Sequence, residues 1–273
     1  MSPRTWRPHV DAFLRLLHLR GGIEGATASG EVSNQGINLM VVRAVMAETT
    51  SPATEPVRGL DLFSLDDLRQ QYLIRFASDC PCPTVLFIQI RIISQLRTSV
   101  SQGAPQAQIA AAAHEVLVAI TAFSPPRWMS SEPSHWNFAD NPELFESIAH
   151  MWKDSVLLYG ILSLPEYAAV ILRNGASKSE IRQRLLRRIG LTWALINANH
   201  PPLFWCLVVA GVAFADGDKA SQKIISDRIH QIGRRPDCSA APLYILRKLE
   251  IFWDSGRTAW DDCFDECLMG TAA

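Results

Sequence analysis

Apolar positions recur at helical spacing in nearly every segment long enough to show a period. In WRPHVDAFLRLLHLRGG, Trp6, Val10, Phe13, Leu14, Leu16 and Leu17 mark an amphipathic first helix, and Gly21 and Gly22 supply its stop. GINLMVVRAVMAE predicts a second helix, ended by the loop TTSPATEPVRG. Ser64, followed three residues later by Asp67, has the form of a capping box opening LDDLRQQYLIRFA. After Pro83, the β-branched residues of TVLFIQIRIISQLRTSV set strand against helix, and the length of the run favours helix. The Ala-rich PQAQIAAAAHEVLVAITAF comes next. SPPRWMSSEPSHWNFAD then forms the longest irregular connection, expected to be a lid or mobile element.

Asn141 and Pro142 begin a long helix through ELFESIAHMWKDSVLLYGILSL, terminated near Pro165. SKSEIRQRLLRRIGLTWALINAN, HPPLFWCLVVAGVAF, KASQKIISDRIHQIG, PLYILRKLEIFWDSG and a short AWDDCFDECL complete the run. No strand pair or fixed-period repeat stands out, so the expectation is one all-α domain over residues 1–273, an irregular array of about ten helices. The apolar run over residues 203–215 is 13 long, short of the roughly 20 a membrane span needs, and reads as a buried helix. Pro201 and Pro202 fit its first turn, and Ala210, Gly211, Ala213 and Ala215 admit a close neighbour. Whether its face is dry core or pocket wall stays open.

Composition narrows the classes. With 19% charged residues and a net charge of −1, nothing draws the whole chain to nucleic acid or anionic lipid, so no direct nucleic-acid contact and no membrane are expected. Arg4, Arg7, His9 and Asp11 interrupt any signal-like apolar stretch, which points to an intracellular place, nucleus or cytoplasm. Six cysteines occur, none in a C-x2-C-x6-C half-motif, so no metal and no cofactor are expected. Cys263 and Cys267 stand one helical turn apart and would suit a pair or a metal, but reduced thiols fit such a compartment better.

Candidate chemistry is sparse. Trp152 and Tyr159, two turns apart, share a face; with Trp205, Trp253 and the loop residue Trp136 they are the ligand-binding candidates, to be weighed against plain core packing. Trp128 and Trp136 in the long loop would close over a hydrophobic small molecule. His150 and Asp154, four apart, are the candidate catalytic pair for proton transfer, or else a solvated helix pair. No nucleophile elbow, HExxH, P-loop or GxGxxG is present. Arg182, Arg184, Arg187 and Arg188 spread around their helix and read as a solvated face. Asp261, Asp262, Asp265 and Glu266, interleaved with Trp260 and Phe264, suit either a coactivator-binding segment or the macrodipole of a helix start, and the second is preferred.

HLRGG, MWKDSVLLYGILSL, ANHPPLFWCLVVAGVAF and LRKLEIFWDSGRTAWDDCFDE together resemble the C-terminal regulatory domain of fungal zinc-cluster transcription factors, in matching order from about residue 6 to residue 267. The resemblance implies an all-α regulatory domain working through a regulatory protein or a small effector. The family's N-terminal cysteine cluster and basic linker have no counterpart in the sequence, which reads as a regulatory domain without its own base-reading part. The alternative is an enzyme of isomerase or cyclase type, or a small-molecule-binding protein of fungal secondary metabolism, reusing this fold around an apolar aromatic pocket. Neither reading fixes the oligomeric state.

Overall fold

A computed structural model describes residues 6–28, 34–75, 82–131, 141–168, 176–195, 203–235 and 240–265. Among them are thirteen α-helices and no strand: α1 (Trp6–Leu19), α2 (Gly22–Ala28), α3 (Asn34–Thr49), α4 (Leu65–Arg75), α5 (Thr84–Ser101), α6 (Gln106–Ala122), α7 (Pro125–Ser131), α8 (Pro142–Ser163), α9 (Lys178–Leu195), α10 (Phe204–Ala213), α11 (Lys219–Gly233), α12 (Ala241–Ser255) and α13 (Trp260–Cys263). A 3-10 turn, Leu60–Leu62, precedes α4.

The all-α expectation holds, and local chemistry explains the element boundaries. Gly21 and Gly22, with φ of 86° and 77°, break α1 from α2 in a region that side chains rarely enter. Ser64 and Asp67 form the reciprocal box before α4: the Asp67 N–H donates to Ser64 Oγ at 3.1 Å, and the Ser64 N–H donates to Asp67 Oδ2 at 2.9 Å. Asn141 caps α8 by accepting from the Leu144 N–H at 3.2 Å, with Pro142 behind it. The β-branched run of α5 resolves as helix because α3, α4, α6 and α8 all pack on it, which buries more than one face.

Two elements correct the sequence reading. The glycine stop is followed by the extra helix α2, and the long connection contains α7, whose Trp128 is buried while the helix packs on α8. That part of the expected lid is therefore core. Trp136, the other proposed lid tryptophan, lies outside the described residues, as do Pro201 and Pro202.

The central post is α8, which touches α5, α6, α7, α9, α10 and α13. From Ile148 to Leu162 only His150 and Lys153 on it are not buried. Lys153 still serves the packing: its ammonium donates to the Thr121 and Phe123 carbonyls at 2.7 and 2.8 Å, satisfying the open end of α6. The apolar helix α10 is buried along its whole length, between α8, α9, α11 and α12. Among the described residues no single helix is long and apolar enough to cross a membrane.

Close helix approach depends on two glycines. A Cβ on Gly160 of α8 would stand 2.8 Å from Leu117 Cδ2 and 3.4 Å from Ile93 Cδ1; one on Gly211 of α10 would stand 2.7 Å from Leu249 Cδ1. Gly190 of α9 is exposed and would meet nothing. Gly160→Val is expected to lower stability by about 1–3 kcal/mol through overpacking. Gly190→Ala is expected to raise it by about 0.5–1 kcal/mol through helix propensity. Urea midpoints of the two variants check both signs, and a neutral Gly160→Val would show that the α5, α6 and α8 junction is looser than described.

Candidate functional site

The most polar part of the interior is the C-terminal end of α3, where the sequence ETTS is buried without a break from Glu48 to Ser51. A helix end leaves its last carbonyls without intrahelical donors, and burying one unpaired costs about 1–3 kcal/mol. Some are satisfied locally: the Thr49 hydroxyl donates to the Met46 carbonyl at 2.6 Å, and the Ser51 hydroxyl donates to the Ala47 carbonyl at 3.0 Å. The carbonyls of Thr49 and Ser51 and the Thr49 hydroxyl are met from far away. Trp260 of α13 donates its indole N–H to the Thr49 carbonyl at 2.6 Å, Trp205 of α10 donates to Thr49 Oγ1 at 3.0 Å, and Arg97 of α5 donates to the carbonyls of Thr49 and Ser51, both at 3.2 Å.

Arg97 is the pin of this cluster. Its guanidinium also donates to the Tyr159 hydroxyl at 3.0 Å and pairs with the Asp261 carboxylate. Ser94 and Tyr159 share a hydrogen bond of 2.8 Å. Burial pushes the Tyr159 phenol above its usual range, although Arg97 beside it pulls the other way. The phenol therefore stays protonated at neutral pH, and its oxygen accepts from the arginine.

The aromatic candidates pack mostly against one another. Trp152 and Trp205 stack with centroids 5.2 Å apart at 11°, Tyr159 meets Trp205 edge-on at 5.8 Å, and Trp260 meets Tyr159 edge-on at 4.7 Å. All four rings are essentially inaccessible. The face of α10 is thus core where it meets α8. Trp253 belongs elsewhere: half-buried on α12, it donates its indole N–H to the Gly211 carbonyl at 2.8 Å.

His150 and Asp154 are not brought together. His150 lies 3.7 Å from Glu146, one turn the other way, whereas Asp154 points inward and is gripped by Arg184 through contacts of 2.6 to 3.0 Å, with Arg188 at 3.2 Å. Burial pushes the Asp154 carboxyl above its usual range and Arg184 partly offsets this. The arginine run is accordingly not the solvated face that its spacing suggested. Arg184 and Arg188 fasten α9 to α8, and Arg182 reaches Asp216 and the Ala213 carbonyl; Arg187 alone of the four is exposed. The acidic end segment is structural as well, since Asp261 pairs with Arg97, and Trp260, Cys263 and Phe264 are buried. Burial also pushes the Cys263 thiol far up, and its proposed partner Cys267 lies outside the described residues.

Open volume lies on another side. A cavity of about 670 Å³ is bounded by α1, the 56–62 loop and α5. Glu48 and Arg91, a buried ion pair, lie in its wall with Gln95, and Arg15 and Arg58 stand on the exposed rim. Gly59 shapes the loop: its φ is 94°, and a Cβ there would lie 2.9 Å from Leu14 Cβ. Residues of the loop's approach are held by Arg7, which donates to Ser51 Oγ and the Glu55 carbonyl, and by Asp11, which accepts from the Arg58 N–H. Sequence reasoning passed over Arg91 and Arg97, although two arginines inside the apolar run FIQIRIISQLRT are themselves a signal. Charges there need buried partners.

The chain belongs to the family of the fungal specific transcription factor domain, which matches residues 2–263. It is also similar, at 27% identity over 269 residues, to the phomenoic acid biosynthesis cluster-specific transcriptional regulator of Leptosphaeria maculans. That match takes in 96% of this chain and 50% of the relative, so the chain spans about half of the relative's length. No solved structure matches it.

Trp260→Ala is expected to cost about 3–5 kcal/mol, because it opens a cavity and removes one of the two side-chain donors to the Thr49 carbonyl; a urea-midpoint loss under about 1 kcal/mol would show that α13 is not part of the cooperative core. Asp154 supplies a pH test. With its folded pKa above 3.8, the carboxyl holds its proton more tightly folded than unfolded, so its contribution is greatest below that value and is lost as pH rises through the folded pKa. The stability of the parent chain relative to Asp154→Asn is therefore expected to rise as pH falls from about 7 towards about 4. A relative stability that falls on acidification would place the folded pKa below the ordinary value.

Proposed function

We propose that this chain is the regulatory body of a fungal transcriptional regulator, acting in the nucleus through a bound protein or small effector rather than by reading bases itself. The family match over residues 2–263 carries the transcriptional part of this reading. The commitment of the arginine-rich helix supports the rest. Base-reading and phosphate-holding surfaces need free cationic groups, and three of the four arginines of α9 are tied to Asp154 and Asp216. The relative's role, regulation specific to a biosynthetic cluster, extends the proposal to control of a secondary-metabolite gene cluster.

Fusing residues 1–273 to an unrelated DNA-binding module and measuring a reporter in a fungal host tests the reading. The fusion is expected to change output severalfold relative to the module alone, in either direction, and a fusion carrying Trp260→Ala is expected to lose the effect. Output equal to that of the bare module under rich, starved and metabolite-producing growth would overturn it.

A further inference from the structure

We infer that the cavity bounded by α1, the 56–62 loop and α5 is a site for a small organic anion, bearing carboxylate or phosphate groups, and this rests on the effector-binding part of the reading above. Its volume, about 670 Å³, lies within the roughly 300–1,000 Å³ of small-molecule sites. The aromatic cluster, by contrast, is filled by its own rings. The lining carries charge of both signs, from Arg15, Arg58 and Arg91 and from Glu48 and Asp61, beside apolar residues such as Val57 and Leu62.

Those charges are unevenly satisfied. Arg91, only 3% exposed, is neutralised by Glu48, while its Nε–H has no partner among the described residues. Asp61 is occupied in accepting from the Gly59 N–H at 3.1 Å, which fixes the loop. Arg15 on α1 and Arg58 on the adjoining loop, both on the exposed rim, form no ion pair among the described residues. Two unpaired guanidiniums beside a buried ion pair leave a net positive cavity, and a guanidinium offers the planar fork that carboxylate and phosphate oxygens match. A neutral apolar ligand would offer no acceptor to Arg15, Arg58 or the Arg91 Nε–H and is disfavoured for that reason.

The wall also touches the interior. Glu48 adjoins Thr49, so a ligand drawing on Arg91 or Glu48 acts one residue away from the point where α5, α10 and α13 converge.

Citrate and inorganic phosphate serve as separate probes, with sodium chloride at matched ionic strength as control, in calorimetric titration and thermal unfolding of residues 1–273. Citrate, phosphate or both are expected to bind saturably and raise the unfolding midpoint beyond the chloride control, and whichever probe binds identifies the preferred group. In Arg15→Gln/Arg58→Gln the affinity is expected to fall about tenfold or more, as the loss of charge-assisted contacts implies. The variant Arg127→Gln/Arg187→Gln removes the same charge from exposed positions elsewhere and is expected to bind like the parent. Absence of binding by both probes, or equal weakening in the two double variants, would overturn the site. Because this assay needs no reporter, its failure would leave the transcriptional reading standing on the fusion experiment alone.

Discussion

A helix that ends inside a protein must have its last carbonyls met by donors from elsewhere, and this requirement organises the whole molecule. The end of α3 at Thr49 is buried, and Arg97, Trp205 and Trp260 are the side chains that reach it. Each comes from a different helix. Placing them fixes how α5, α10 and α13 sit around α3, and Tyr159, held between Arg97 and Ser94, brings the central helix α8 into the same arrangement. In a low-dielectric interior such a network is specific because every member loses a partner if any one moves.

Around that centre, charge is used inside as well as outside. Arg91 with Glu48, Arg97 with Asp261, and Arg184 with Asp154 each join elements distant in the sequence. Pairs of this kind, with one or both partners buried, add little net stability over apolar packing, but leaving the buried partner unpaired strongly penalises wrong pairings. In an all-helical array, where many ridge-into-groove packings have similar energies, that selectivity restricts the alternatives. The near-zero net charge of the chain thus conceals a directed internal distribution.

Helical periodicity, glycine stops and capping signals made most of the fold readable, because each depends on residues within a few positions of one another. Ser64 with Asp67 and Asn141 with Pro142 act as their spacing indicates, and Ser177 with Glu180 forms the same reciprocal cap before α9. The short helices α2 and α7 escaped because a single buried residue such as Trp128 carries no period. The site was less readable for a physical reason: partners 46 to 211 residues apart leave no local trace. His150 and Asp154 have the right spacing to meet, yet Arg184 from another helix competes for the carboxylate, and only the tertiary fold decides between them. Gly59 and the cavity it shapes depend on a loop conformation that no apolar pattern encodes.

The bond between Trp260 and Thr49 spans 211 residues. Loop-closure entropy must be met before such a contact gives anything back, and chains rich in distant contacts fold slowly. On a chain synthesised from its N-terminus, the acceptor on α3 emerges long before its donor, so a growing chain carries an open polar helix end and an incompletely covered apolar core until residue 260 is made. The short helix α13 sets the moment at which this interior can close, because it carries the Trp260 donor to the Thr49 carbonyl.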